Sequence, residues 1–521
     1  MKIKTILRLQ GYFFYFALIT IAGFNLLIRF TFIEYGFITT DEGIALNNSK
    51  LAYEGYIPFV SYNGWNSLIH DYISGIPRLF LSPTIFTQRI YGLLVAFLVF
   101  FVTLKISSTI GNRRQVLLSA VFLTFGSLTY TYFSNIFYST QSMTLFLLLA
   151  IYFYSVGTKK PYKFVYDIFA LISITLTALD RSQALPAIIL VWFGLLFLRK
   201  VSLKLKIYLT VISIILVICA FVPFFALSVT QTVYALFWPF FAGKILLYVS
   251  HESPRSLTKI ISFVIESAQD YGLLLSVIIS FYLVQAASRL RRILSINSTI
   301  IISSLIVFFF IFTAVIHQPA DAGYIYPSVP LIALISAYFL DFILSNIGNK
   351  VSEKFILCFI VLLLVIQAIL YPHFKVMKTS LSTIKKTPHN LLKNITNFIE
   401  DNSNLNDEII TFYLPAIANT SRKVPINLNE GPGSISIQDT TFSQKFHLTN
   451  INMLQDYIAT KKAKLIVFTD TFVYYFGANM EERQRTLKTI NEYYKLVKEF
   501  PEFHLIDGSK AKSLVIYRRK D

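Results

Sequence analysis

The chain has 521 residues, of which 55% are hydrophobic and 14% charged, with a mean hydropathy of +0.59 and a formal net charge of +19. Soluble domains carry about a quarter charged residues, so this composition excludes an assembly of soluble domains and places most of the chain in lipid. The positive charge sits in short clusters between apolar runs rather than on one face, which is how a membrane protein fixes its orientation and argues against a nucleic-acid partner.

A hydrocarbon core about 30 Å thick takes about 20 mostly apolar residues per helix. On that measure spans are expected at 11–33, 86–108, 115–133, 137–156, 166–180, 183–199, 207–229, 271–288, 298–316, 325–345 and 355–372, about eleven in all. The first run is too long for a signal-peptide core and is kept as a span. With the N-terminus in the cytoplasm, Lys2, Lys4 and Arg8 lie inside. The inner connections then carry Lys105, Arg113 and Arg114; Lys159, Lys160 and Lys163; Arg199, Lys200, Lys204 and Lys206; Arg289, Arg291 and Arg292; and Lys350 and Lys354. The opposite connections near 134, 181 and 320 hold almost no Lys or Arg beyond Arg181, as the positive-inside rule requires.

This reading gives a polytopic α-helical membrane domain over 1–372, with external loops at 34–85 and 230–270, and an extracytoplasmic tail over 373–521. In the tail, helices are expected at 388–402, 451–461 and 480–498, and strands at 408–413, 464–469, 503–506 and 513–518. Helices alternating with short apolar strands indicate a small α/β domain. It has no Gly-x-Gly-x-x-Gly loop to support nucleotide binding. Cys219 and Cys358 each lie inside an apolar run and form neither a disulfide framework nor a zinc motif.

The first external loop reads Phe37-Ile-Thr-Thr-Asp41-Glu42-Gly43, then a helical pattern to Gly55 and the segment Tyr56-Ile57-Pro58. Thr40 is the expected N-cap, which places both acids in the first turn. Two roles are open to them. They can complement the helix dipole, worth about 0.3–1 kcal/mol each. Alternatively, one serves as a general base at the lipid–water boundary, where partial burial raises a carboxylate's pKa. Adjacent acids point in different directions on a helix, so one is expected to do chemistry and the other structural work.

Asp41-Glu42-Gly43 after the first span, the segment Glu54 to Phe59 with its Gly-Tyr-x-Pro-Phe pattern, and Arg89 at the second span resemble the GT-C superfamily. The likeness is to its protein O-mannosyltransferase and aminoarabinose-transferase group. Tyr324-Ile-Tyr-Pro327-Ser-Val-Pro330-Leu-Ile-Ala-Leu is similar to a late span of that group, and Leu176-Thr-Ala-Leu-Asp-Arg181 to a segment that often carries a basic residue. The resemblance covers about residues 10–345. It implies inverting hexosyl or pentosyl transfer on the external face, from a polyprenyl-phosphate sugar donor to a lipid, glycan or protein acceptor.

Under the resemblance, Asp41 matches the base and Glu42 its neighbour. Two departures stand out. Asn135, Tyr138 and Gln141 occupy the region where relatives often carry an acid, and Gly323 replaces a basic residue before the late Tyr. The donor phosphate needs cations in a poorly solvated place, and Arg89, Arg181, Arg78, Lys244 and Arg255 are the candidates. His317, Asp321, Tyr324 and Tyr138 are candidate sugar or acceptor contacts. His317 and Asp321, four residues apart, offer too few donors for a metal, and the reading requires no cofactor. The rival reading is a transporter or flippase of lipid-linked sugars, which would place ionisable residues within the spans and show related halves.

Overall fold

The computed structural model describes residues 2–64, 68–127, 130–131, 134, 139–158, 164–181, 184–198, 202–247, 261, 297–316, 322–346, 388–503 and 512–520. The chain begins with helix α1 (Lys2–Tyr35), followed by α2 (Thr40–Tyr53) and the short α3 (His70–Ser74). Next come α4 (Ile85–Ile110), α5 (Arg113–Phe125), α6 (Ser139–Gly157), α7 (Phe164–Asp180), α8 (Leu185–Phe193), α9 (Leu203–Leu227) and α10 (Val229–Ile245). After residues outside the described set, α11 (Ser298–Ile316) and α12 (Val329–Asn346) complete the apolar helices.

Five segments among the described residues are long and apolar enough to cross a membrane: Tyr12–Ile33, Ile85–Ile110, Thr140–Gly157, Leu203–Leu227 and Ile325–Ser345. Leu185–Leu198 and Ser298–Ala314 are shorter apolar helices. At 1.5 Å per residue the first of these segments rises about 33 Å, enough for the hydrocarbon layer. Large apolar side chains point outward along them, with Phe308 at 70% exposure and Ile189 at 64%. In water such a surface would drive aggregation, so its solvent is lipid and the chain is an integral membrane protein.

Inside the bundle, hydroxyls return to their own helix: Thr103 Oγ1 donates to Val99 O at 2.8 Å and Thr177 Oγ1 to Ser173 O at 2.8 Å. Far from the first loop, Arg114 pairs with Asp341, and Asn112 Nδ2 donates to the same carboxylate at 2.9 Å, joining the start of α5 to α12.

The expected spans correspond to these helices with one clear shortening. The third, expected over 115–133, ends at Phe125, where Gly126 and Ser127 stop the helix. The spans expected at 271–288 and 355–372, and the domain boundary at 372/373, lie outside the described residues.

The tail forms an α/β domain. Helix α13 (Pro388–Asp401) leads to β1 (Ile409–Thr411) and α14 (Pro415–Ala418). They are followed by β2 (Ile435–Ser436), α15 (Thr440–Lys445), β3 (Thr449–Asn450), α16 (Ile451–Ala459), β4 (Leu465–Thr469), α17 (Met480–Tyr493), β5 (Tyr494–Phe500) and β6 (Leu514–Arg519). The main sheet has the order β1-β4-β6-β5, with β1 parallel to β4 and β6 antiparallel to both its neighbours. The helix expected to run to 498 stops at Tyr493, because the next seven residues gain ladder hydrogen bonds to β6 as an edge strand. Local helical pattern yields there to tertiary pairing. Of the strand expected at 503–506, Phe503 is described and lies in a turn, while residues 504–506 lie outside the described set.

This domain packs on the loop between α1 and α4. Tyr413 Oη donates to Ile38 O at 3.0 Å, Ile85 N–H to Asn419 Oδ1 at 2.9 Å, and Lys50 Nζ to Arg422 O at 3.0 Å. The approach is tightest at Gly43, where an added Cβ would lie 2.3 Å from Pro415 N and 2.5 Å from Leu414 C. Both obstacles are backbone and cannot swing aside. Gly43→Ala is therefore expected to cost about 1–3 kcal/mol by forcing α2 off the tail domain. A lowered thermal unfolding midpoint in detergent checks this, and an unchanged midpoint would contradict it.

Candidate active site on the first loop

Helix α2 starts one residue earlier than its sequence suggests, with Thr39 rather than Thr40 at the N-cap, φ −87° and ψ 155°. Glu42 Oε2 accepts from the Thr39 backbone N–H at 3.0 Å, satisfying one of the orphan donors of a helix start. The same carboxylate meets Arg89 side-on: Arg89 Nε donates to Oε1 at 2.6 Å and Nη2 to Oε2 at 2.9 Å. Both side chains are 1% exposed.

Arg89 also closes the end of α1. Its Nη1 donates to Phe32 O at 3.2 Å, Ile33 O at 2.9 Å and Gly36 O at 3.1 Å, and Nη2 to Phe37 O. Apart from Phe32 O, which also accepts from Gly36 N–H at 3.1 Å, these are carbonyls at and beyond the end of a helix, where intrahelical donors run out. One guanidinium therefore ties together the end of α1, the start of α2 and the start of α4. His389 of α13 adds to the knot. Burial, then the Arg89 charge, pushes its pKa down to about 4, so the ring is neutral and its Nε2–H donates to Ile33 O at 2.9 Å.

Glu42 thus takes the structural role expected of one of the two adjacent acids, and Arg89, expected near the donor phosphate, is paired with it. Every Arg89 nitrogen is engaged with protein acceptors. Glu42 is held as an ion-pair partner, not as a base. Asp41, one residue earlier, is exposed. Arg78 braces the second half of α2: Nε donates to Ser49 Oγ at 3.0 Å and Nη2 to Leu46 O at 2.6 Å, and burial lowers its pKa to about 10.

A second polar group lies beneath the same loop. Tyr62 Oη donates to Asp71 Oδ2 at 2.7 Å. His70 Nδ1 stands 3.2 Å from Asp180 Oδ1, at the end of α7, and 3.4 Å from Ser142 Oγ on α6. The backbone joins in, with Leu68 N–H donating to Leu179 O at 3.1 Å. Arg181, 1% exposed, follows Asp180 directly, so the backbone of this candidate cation lies next to residues that contact the first loop. Burial, more than any charge, raises Asp71 to about 6, against the lowering effect of His70 and Tyr62.

Lys244 lies on the α10 backbone and Tyr324 on the 3-10 turn Ala322–Ser328 that leads into α12. Tyr138, Arg255, His317 and Asp321 lie outside the described residues. His70, Asp71, Asp180 and Arg29 were missed in the sequence. Arg29, 1% exposed on α1, donates from Nε to Asn25 Oδ1 at 2.8 Å and lies over the Tyr130 ring at 5.7 Å. For Arg29 and Asp180 the available signal was an ionisable residue inside an expected apolar span, which marks a buried polar partner or a site. Among the described residues no group of three or more His, Cys, Asp or Glu is arranged to hold a metal.

No protein-family model matches the chain, and no curated protein sequence matches it. Solved structures match it in fold. ArnT from Cupriavidus metallidurans, solved in the apo state and bound to undecaprenyl phosphate, aligns with a TM-score of 0.61 over 96% of this chain and 97% of that one, at 10% identity. The oligosaccharyltransferase of Archaeoglobus fulgidus, tethered with an acceptor peptide, aligns with a TM-score of 0.54 over 98% of this chain and 74% of that one, at 12% identity. The archaeal oligosaccharyltransferase AglB from the same organism, in complex with an inhibitory peptide and a dolichol-phosphate, gives 0.51 at 12% identity. The chain has an ArnT-like GT-C fold.

Two outcomes follow from the site. Arg89→Ala leaves the buried Glu42 without its counter-charge and the Gly36 and Phe37 carbonyls without the guanidinium, and is expected to cost about 3–5 kcal/mol, read as a collapse of the thermal midpoint in detergent. Asp71 binds its proton more tightly folded than unfolded, so its stabilising contribution is complete below pH ~4 and falls by roughly 3 kcal/mol as pH rises through 6. Asp71→Asn keeps the acceptor for Tyr62 and should flatten that dependence, raising the midpoint relative to wild type at pH 7 but not at pH 4.

Proposed function

We propose that the chain is an inverting glycosyltransferase that moves a sugar from a polyprenyl-phosphate donor to an acceptor on the external face of the membrane, with Asp41 as general base. The observation that carries this reading is the division of labour between two adjacent acids. Glu42 is buried and locked on Arg89, while Asp41 is exposed at the start of a helix whose position that lock fixes. The fold supports the same reading, since one structure of that fold holds undecaprenyl phosphate and another dolichol-phosphate.

The chemistry needs little beyond placement. The acceptor O–H or N–H gives its proton to the Asp41 carboxylate as its lone pair attacks the anomeric carbon. The bond from that carbon to the phosphate oxygen breaks on the opposite face, and polyprenyl phosphate leaves with the electron pair. The leaving group is already a stable phosphate, so alignment and charge stabilisation supply most of the rate. Arg181 is the proposed cation for that phosphate, at a buried position next to residues that contact the first loop, with Lys244 and Arg255 as further candidates. With the N-terminus cytoplasmic, the first loop and the tail domain over 373–521 lie on the outer side, where the acceptor would be met.

Asp41→Asn tests the reading. Purified in detergent with a polyprenyl-phosphate sugar, it is expected to lose about 10²–10⁴-fold in transfer, the usual worth of a general base, with a wild-type unfolding midpoint. Undiminished transfer would overturn the assignment of Asp41. A wild-type protein that moves lipid-linked sugar across vesicles but shows no turnover in detergent would favour a transporter.

A further inference from the structure

We propose that Glu430 of the C-terminal domain is a positioning residue for the transfer reaction: it grips the far half of α2 and so sets where Asp41 stands. The proposal rests on the reading of Asp41 as base.

Residues 429 and 430, from the turn before the left-handed Gly431 (φ +55°), reach into the first loop between α2 and the segment at 62–64. Asn48 Nδ2 donates to Glu430 Oε1 at 3.0 Å, and Asn63 Nδ2 to Glu430 Oε2 at 3.4 Å. Asn429 Nδ2 donates to Asn48 Oδ1 at 2.8 Å and to Asn63 O at 2.7 Å, and Asn47 Nδ2 to Asn429 O at 3.0 Å. Asn48, Asn63, Asn429 and Glu430 are each at most 1% exposed. Tyr234 of α10 flanks this cluster, stacked on Phe446 at 4.2 Å and edge-on to Phe59 at 6.4 Å.

The chemistry of the grip is directional. Two amide donors converge on the two different oxygens of one side chain, so position 430 must accept at both terminal atoms, which a carboxylate does and a carboxamide, with one oxygen and one NH₂, does not. Asn48 is held at both ends of its amide, so α2 cannot roll without breaking a buried bond. Asn48 lies seven residues beyond Asp41, about 10 Å along the helix. The Glu42–Arg89 pair fixes one end of α2 and Glu430 the other. A tilt between them moves the Asp41 carboxylate, and a misplacement of about 1 Å can cost about 10²-fold in rate. The tail domain is thereby a working part of the site and not an appended module.

Reversing the polarity of the pair tests this. Full-length wild type, Asn48→Asp, Glu430→Gln and the double variant are purified in detergent. The first single variant sets two carboxylates face to face, and the second sets an amide NH₂ against another. The double variant restores a donor at 430 facing an acceptor at 48, while Asn429 and Asn63 keep their roles. Each single variant is expected to lose about tenfold or more in kcat with little change in donor KM, and the double to recover to within about threefold of wild type. Amide hydrogen exchange across Thr40–Tyr53 should accelerate in each single variant and return in the double.

Full kcat in both single variants, or a double variant no better than the worse single, overturns the proposal. Should the wild type transfer no sugar at all, the reading of function fails separately, and the exchange data still judge the grip. Exchange in Glu430→Gln identical to wild type would then overturn it.

Discussion

One buried ion pair organises the site. Arg89 and Glu42 meet through two hydrogen bonds at 1% exposure, and the guanidinium turns its remaining donors on the carbonyl end of α1. Taking two charges out of water is costly, and their attraction repays that cost only when every other lone pair and proton is met. Here they are met by helix ends, which themselves need partners. The Glu42 carboxylate closes the start of α2 while Arg89 closes the end of α1, so one ion pair serves two helix ends. This is why the chain can turn sharply from a membrane-crossing helix into α2 and back into α4 without leaving orphan backbone groups near lipid.

That constraint limits which way the neighbouring acid can face. Consecutive residues on a helix diverge by about 100°, so fixing Glu42 toward Arg89 obliges Asp41 to face elsewhere. It also makes α2 rigid at its first turn, and rigidity is what a base held against a lipid-linked substrate needs. The tail domain adds the rest. Pro415 packs on Gly43, Tyr413 reaches Ile38, and the Asn429–Glu430 pair holds the second half of the helix. The loop is thus built by two parts of the chain that are nearly 400 residues apart in sequence.

The membrane class, most helix positions and the α/β character of the tail were legible because each rests on a local signal: apolar length, charge between spans, or alternation. The division between Asp41 and Glu42 was half legible. Adjacency showed that one acid would be structural and the resemblance matched Asp41 to the base, while the Arg89 contact gives Glu42 its structural partner. The role of Arg89 as a helix-capping partner of Glu42 was not legible, since a cation beside a span looks the same whether it faces a phosphate or caps a helix. His70, Asp71 and Asp180 were invisible because Asp180 is brought to His70 by packing of α7 against the first loop, across 110 residues. Glu430 was invisible for the same reason across 382 residues. The strand at 494–500 shows the limit from the other side, since its pattern fits a helix until β6 offers a ladder.

The most direct measurement is an experimental structure with a non-transferable polyprenyl-phosphonate sugar bound. The account predicts that Arg89 remains paired with Glu42, that the phosphonate rests on other cations, and that the Asp41 carboxylate faces the anomeric carbon from the side opposite the phosphonate. A phosphonate seated on Arg89 with Glu42 released, or a sugar on the far side of α2 from Asp41, would contradict it.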